Sequence, residues 1–129
     1  MGDSIKRGID NVGYREFLFD DLTRQGISVH FVGTQRDGPF SENHHDGHNG
    51  WTIPQLQNNS IDWLEAFHPD YILLMIGAND IEIHGNLKLM HEQMITFLET
   101  IYRLQPGVKV LVSEVTPITR ADYDLLALT

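Results

Sequence analysis

A chain of 129 residues with 41% hydrophobic and 21% charged side chains has the make-up of one globular domain with room for a buried core. Nine Lys and Arg against 18 Asp and Glu give a net charge of −9 with no basic run, which argues against nucleic acid and anionic membranes as partners. Without cysteine there are no disulfides, the longest apolar run is far too short to span a bilayer, and the N-terminus carries no apolar signal region, so any targeting peptide is expected to be absent or already removed.

In chain order, Met1–Asn11 is polar and turn-like. Gly13–Gln25 reads as a helix with Tyr14, Phe17, Leu18 and Leu22 on one face and Gly26 as its stop. Ile27–Val32 reads as a short strand ending at Gly33. Gly33–Gly50 is rich in glycine and has no periodicity, so a long loop is expected, and loops of that length are commonly functional or disordered. A helix opens at Thr52, where Thr52-Ile53-Pro54-Gln55 has the spacing of a capping box. Its apolar face includes Leu56, Trp63, Leu64 and Phe67, Asn58-Asn59-Ser60 weakens its middle, and His68-Pro69-Asp70 ends it.

Tyr71–Ile76 is an unbroken apolar run, the pattern of a strand buried on both faces of a parallel sheet. It stops at Gly77-Ala78-Asn79-Asp80, which on its own reads as a turn. Asn86 is placed to cap a helix over Leu87–Leu104 with Met90, Met94, Phe97, Leu98 and Ile101 as its stripe, and Pro106-Gly107 breaks it. Val108–Val115 is a third strand, and Thr116–Thr129 leads toward a last helix. Helices alternating with strands predict an α/β fold with a parallel sheet in a single domain.

In such sheets chemistry sits beyond the carboxyl ends of the strands. Three features there form a set. Ser4 in Gly2-Asp3-Ser4-Ile5 has the residue type of an acyl-transfer nucleophile, which needs a base and oxyanion donors. Gly50 closes the long loop directly before a helix start, a natural place to present an N–H to developing negative charge. Asn79 comes after the apolar strand and offers an amide donor. Each alone also fits a turn or a cap. His44, His45, Asp46 and His48 crowd one loop, and a structural role is favoured over metal binding because four ligands within five residues rarely face one ion. Trp51 stands at the mouth of the supposed site, where an aromatic face suits a sugar ring, whereas Trp63 on a helix stripe reads as core. Asp80 reads as orienting its turn, and His30, His68, His84 and His91 as surface or packing residues.

These blocks resemble the GDSL, or SGNH, hydrolases: Gly2-Asp3-Ser4-Ile5, Gly50 and Gly77-Ala78-Asn79-Asp80 correspond to the first three. Gly13-Tyr14-Arg15, His30–Gln35, Asp37-Gly38-Pro39 and His45–Ile53 are similar to carbohydrate esterase family 3, the acetylxylan-esterase-like branch. The resemblance implies a three-layer α/β/α, flavodoxin-like fold without cofactor or metal. It implies Ser4 as nucleophile, with Ser4 N–H, Gly50 N–H and the Asn79 amide as oxyanion hole, and a secreted protein that deacetylates acetylated polysaccharide such as xylan. Trp51, His45 and His48 would lie near substrate, and His44, His45 or His48 could serve as a weak base.

Two departures matter. The family's base lies in a C-terminal Asp-x-x-His block, yet no aspartate here has a histidine three residues later, and the last histidine is His91. Only three residues precede Ser4, so the first, central strand and the final strand and helix are expected to be missing, and Lys6 stands where the family more often has threonine. The chain by itself is therefore expected to be a weak esterase that self-associates through unpaired strand edges. The alternatives are a non-catalytic or carbohydrate-binding remnant, and a short-chain acyl esterase or lysophospholipase. An Asp-x-x-His block downstream in the parent reading frame would favour a fragment of an enzyme.

Overall fold

A computed structural model of the chain describes residues 1–2, 14–38 and 43–114. Its elements are α1 (Arg15–Arg24), β1 (Gln35–Arg36), β2 (His44–His45), α2 (Ile53–Phe67), β3 (Tyr71–Leu74), α3 (Ala78–His84), α4 (Leu87–Leu104) and β4 (Lys109–Val112). The expected last helix over Thr116–Thr129 lies outside the described residues.

The core is built where the apolar spacing is regular. Ile53, Leu56 and Leu64 of α2 and Phe97 and Ile101 of α4 close over Ile72, Leu74 and Ile76, with Val108 at the entry to β4. Trp63, Met90, Met94 and Leu98 pack partly buried against it. Helix α4 starts as its sequence dictates: the Asn86 side chain accepts from the Leu89 N–H at 3.0 Å. Helix α2 starts on the Gln55 side chain, which reaches back to the Thr52 N–H at 2.9 Å. Its polar middle stays helical with its side chains satisfied, Asn59 bonding back to the Gln55 carbonyl and the buried Ser60 hydroxyl to that of Gln57.

Strands β3 and β4 are parallel, with Tyr71 opposite Lys109 and Leu74 opposite Val112. The other edge of β3 holds Met1–Gly2: the N-terminal amine donates to the Leu73 carbonyl at 2.9 Å and the Met75 N–H to the Met1 carbonyl at 3.2 Å. Outside Gly2 lies Gly47, held by Gly2 N–H to Asp46 carbonyl and His48 N–H to Gly2 carbonyl, both 2.9 Å. The position expected to lack a central strand is thus occupied over its last two residues by Met1–Gly2.

Four other expectations change. Among the described residues β3 is not buried on both faces. Ile72 and Leu74 are buried, but Tyr71 is 60% exposed, because α2 and α4 cover one face. Ile27–Val32 pairs with no described strand, and the Gly47 segment holds the place beside Gly2. The long loop folds back on itself, Gln35 opposite His45 and Arg36 opposite His44 in an antiparallel ribbon. On α1, Phe17 points outward at 69% exposure and Arg15 is the buried residue. Its guanidinium donates to the carbonyls of Asn43 at 3.0 Å and Asp37 at 3.3 Å, so α1 anchors the ribbon through hydrogen bonds more than through an apolar face. No helix among the described residues is long and apolar enough to cross a membrane.

Candidate functional site

The carboxyl end of β3 turns sharply at Gly77, whose φ of 125° is a conformation side-chain-bearing residues rarely adopt. Beyond Gly77 the chain forms the short helix α3 in place of the open turn that Gly-Ala-Asn-Asp suggests. This puts Asn79 and Asp80 in consecutive positions of its first turn, facing the start of α2. The Asn79 amide donates to the Trp51 carbonyl at 2.9 Å. The Asp80 carboxylate accepts from the Ile53 N–H with both oxygens, at 3.0 and 3.1 Å. Asp80 is 2% exposed. Burial pushes its carboxyl above the ordinary value, against the pull of the Ile53 and Asp80 backbone N–H groups and of His84.

Gly50 lies one residue before Trp51, exposed and at φ 78°, and its N–H donates to no described residue. A side-chain amide carries two N–H bonds, and the hydrogen bond Asn79 gives among the described residues, to Trp51, uses one of them. Asn79 thus bonds the residue directly after Gly50, and Gly2 bridges Gly47 of the same loop on one side and Met75, just past β3, on the other. Ser4, the expected nucleophile, lies outside the described residues.

The ribbon beside this corner is held by a buried polar network that the sequence pattern does not disclose. The Asp46 carboxylate accepts from the Thr34 N–H at 3.1 Å, from the Thr34 hydroxyl, and from His48 Nε2 at 3.2 Å. His48 Nδ1 meets the Gln35 amide at 3.1 Å. His45 accepts the Gly47 N–H on Nδ1 at 2.9 Å and bonds Asp37 through Nε2 at 2.6 Å. Both nitrogens of both rings are thus engaged within the loop, an arrangement that holds the ribbon's shape and leaves neither ring a spare lone pair for proton abstraction. Among the described residues no group of three or more His, Asp or Glu side chains is arranged to hold a metal ion. Gly33 is required by close approach, since a Cβ there would sit 2.2 Å from the His45 carbonyl oxygen. A cluster of polar side chains between glycines was the available signal, but it does not say which groups pair.

Trp51, His48 and Trp63 form a near-parallel group: His48 lies 3.9 Å from Trp51 and 5.0 Å from Trp63, centroid to centroid. Trp51 is half-buried, and Trp63, expected as plain core, joins the same stack. Tyr14, beside the buried Arg15, has its phenol pushed up to about 12 by burial and stays neutral. His30, His68, His84 and His91 are all exposed.

Residues 1–128 match the GDSL-like Lipase/Acylhydrolase family. The chain belongs to that family. A multidomain esterase of Ruminococcus flavefaciens is 31% identical over 132 residues, covering 83% of this chain and 17% of that protein. A family 3 carbohydrate esterase of Clostridium thermocellum superposes with a TM-score of 0.87 at 35% identity, over 98% of this chain and 65% of the other. A carbohydrate esterase family 3 structure from Talaromyces cellulolyticus gives 0.75 at 29% identity, over 87% and 58%. The chain thus spans about two thirds or less of the length of these relatives. Its fold is the α/β fold of the SGNH-type esterases, and in this GDSL-family chain Asn79 lies beyond the carboxyl end of β3, bonded to the residue directly after Gly50.

Proposed function

We propose that this chain carries the nucleophile and oxyanion hole of a serine ester hydrolase acting on acetylated carbohydrate. Ser4 attacks the acetyl carbonyl as its hydroxyl proton passes to a base. The acetyl C–O bond to the sugar breaks, and the sugar leaves with that proton as a free hydroxyl, giving acetyl-Ser4. The negative oxygen is held by the N–H groups of Ser4 and Gly50 and by the Asn79 amide, and water then releases acetate from the acyl-enzyme. The observation that carries this reading is the Asn79–Trp51 hydrogen bond, which ties one donor to the residue directly after the other. Gly2 supports it from the third side, because Ser4 is only two residues further on, a reach of at most roughly 7 Å. Trp51 is the candidate sugar contact, and His45 and His48 shape the loop beside it.

The proton acceptor for Ser4 is not among these 129 residues in the family's Asp-x-x-His form. The chain by itself is therefore expected to hydrolyse esters weakly, roughly 10³–10⁴-fold over water, the residue left when a triad loses a member. The chain is read as a single domain. Leu111 and Val112 on β4 are 53% and 49% exposed, which supports self-association along that edge.

Acetate release from acetylated xylan tests this, run beside p-nitrophenyl esters and lysolipid, with Ser4→Ala as control. Weak turnover on acetyl esters that Ser4→Ala abolishes is expected. A preference for lysolipid would move the substrate to phospholipids. Xylan binding with no Ser4-dependent turnover would favour a non-catalytic carbohydrate-binding remnant.

A further inference from the structure

We infer that Asp80 is a positioning residue of the oxyanion hole, holding Gly50 in fixed relation to Asn79; this rests on the function proposed above. Asn79 and Asp80 grip the two ends of one short segment. Asn79 takes the Trp51 carbonyl and Asp80 takes the Ile53 N–H, with Thr52 between them. One hydrogen bond alone would let the α2 start pivot. Two, from adjacent residues of a helix to sites two residues apart, fix its angle as well as its distance. Gly50 is the next residue outward, with φ 78° and no contact that a side chain would disturb, so its backbone depends on its neighbours for direction.

Helix capping alone does not account for Asp80. A local cap for α2 already exists in the Thr52–Gln55 pair. The Asp80 carboxylate comes from 27 residues further along the chain, and burying it at 2% exposure is costly unless its bonds are used. What those bonds add is a link between α3, which carries Asn79, and the start of α2, which directly follows the Gly50 segment. The Trp51 carbonyl meanwhile fixes the plane of the Asn79 amide, so that the second N–H bond points in one direction.

The test compares Asp80→Ala and Asp80→Asn in the full 129-residue chain by two readouts. One is the amide NMR cross-peaks of Gly50 and of the Asn79 side chain. The other is the rate of Ser4 acetylation by p-nitrophenyl acetate, per folded molecule. Asp80→Ala should shift both sets of peaks and slow acetylation at least roughly tenfold with the half-saturating ester concentration unchanged, as expected for a misplaced donor. Asp80→Asn, which keeps one acceptor oxygen, should fall between. Ile101→Val supplies a comparison that loses stability in the core and should move neither readout. Unshifted peaks, or shifted peaks with an unchanged rate, would overturn the positioning role and leave Asp80 a stabilising contact. If the wild type shows no acetylation at Ser4, the proposed function fails by itself, and the peaks alone decide whether Asp80 clamps Gly50 to Asn79.

Discussion

Around β3 the chain buries Ile53, Leu56, Leu64, Ile72, Leu74, Phe97 and Ile101, whereas around Gly47 it buries Arg15, His45 and Asp46. The first region is held by apolar area removed from water, which is non-directional and tolerates small shifts. The second is held by hydrogen bonds between groups that must each find a partner, and it fails if one is removed. The expected oxyanion donors stand at the join. Asn79 comes off the end of the apolar strand, and Gly50 off the end of the polar loop. An apolar half thus supports a half whose shape is set atom by atom.

That contrast can be broken at several points. The largest effect belongs to the apolar half: Phe97→Ala should cost about 3–5 kcal/mol, measured by urea unfolding, since Phe97 is fully buried in the core that α2, α4 and β3 share. In the polar half, Asp46→Ala strips partners from Thr34 and His48 and should cost about 1–3 kcal/mol. Unlike Phe97→Ala, it should also shift the Gly50 amide peak in the folded protein; an unmoved peak would separate the network from the site. Asn86→Ala removes a cap far from either region and should cost about 1 kcal/mol with no change at the site.

The smallest effect is a pH dependence. Burial raises the folded pKa of Asp80 above its unfolded value, so the folded state binds the extra proton. Wild type should therefore lose stability relative to Asp80→Asn as pH rises from the ordinary carboxylate range through the folded pKa, and the difference should level off above it. A wild type that loses stability relative to Asp80→Asn as pH falls would contradict this. Light scattering addresses the exposed β4 edge, where oligomers are expected and a monodisperse monomer would count against self-association.

The two regions also differ in how much of them the sequence reveals. Helix α4, its Asn86 cap, the α2 capping box and the parallel pairing of β3 are legible from spacing and composition, because apolar burial is periodic. Helix α3 is not, since seven residues carry too little pattern to distinguish a short helix from a turn. Neither is the Arg15 anchor or the Asp46 network, whose longer bonds join residues 12 to 28 positions apart and depend on which carbonyl each donor meets. Apolar stripes misled where they were partial, as on α1, where Phe17 faces out. Gly50 and Asn79 stand out as candidate site residues only as a set with Ser4, and the contact between their segments appears only in three dimensions.

The central claim is that Ser4, Gly50 and Asn79 form one ester-cleaving site, and peptide mass mapping after exposure to p-nitrophenyl acetate tests it most directly. A single acetyl group on the peptide containing Ser4 is expected, absent in Ser4→Ala and formed roughly 10²–10³-fold more slowly in Asn79→Ala. Acetylation elsewhere, or on Ser4 at a rate indifferent to Asn79, would contradict the account.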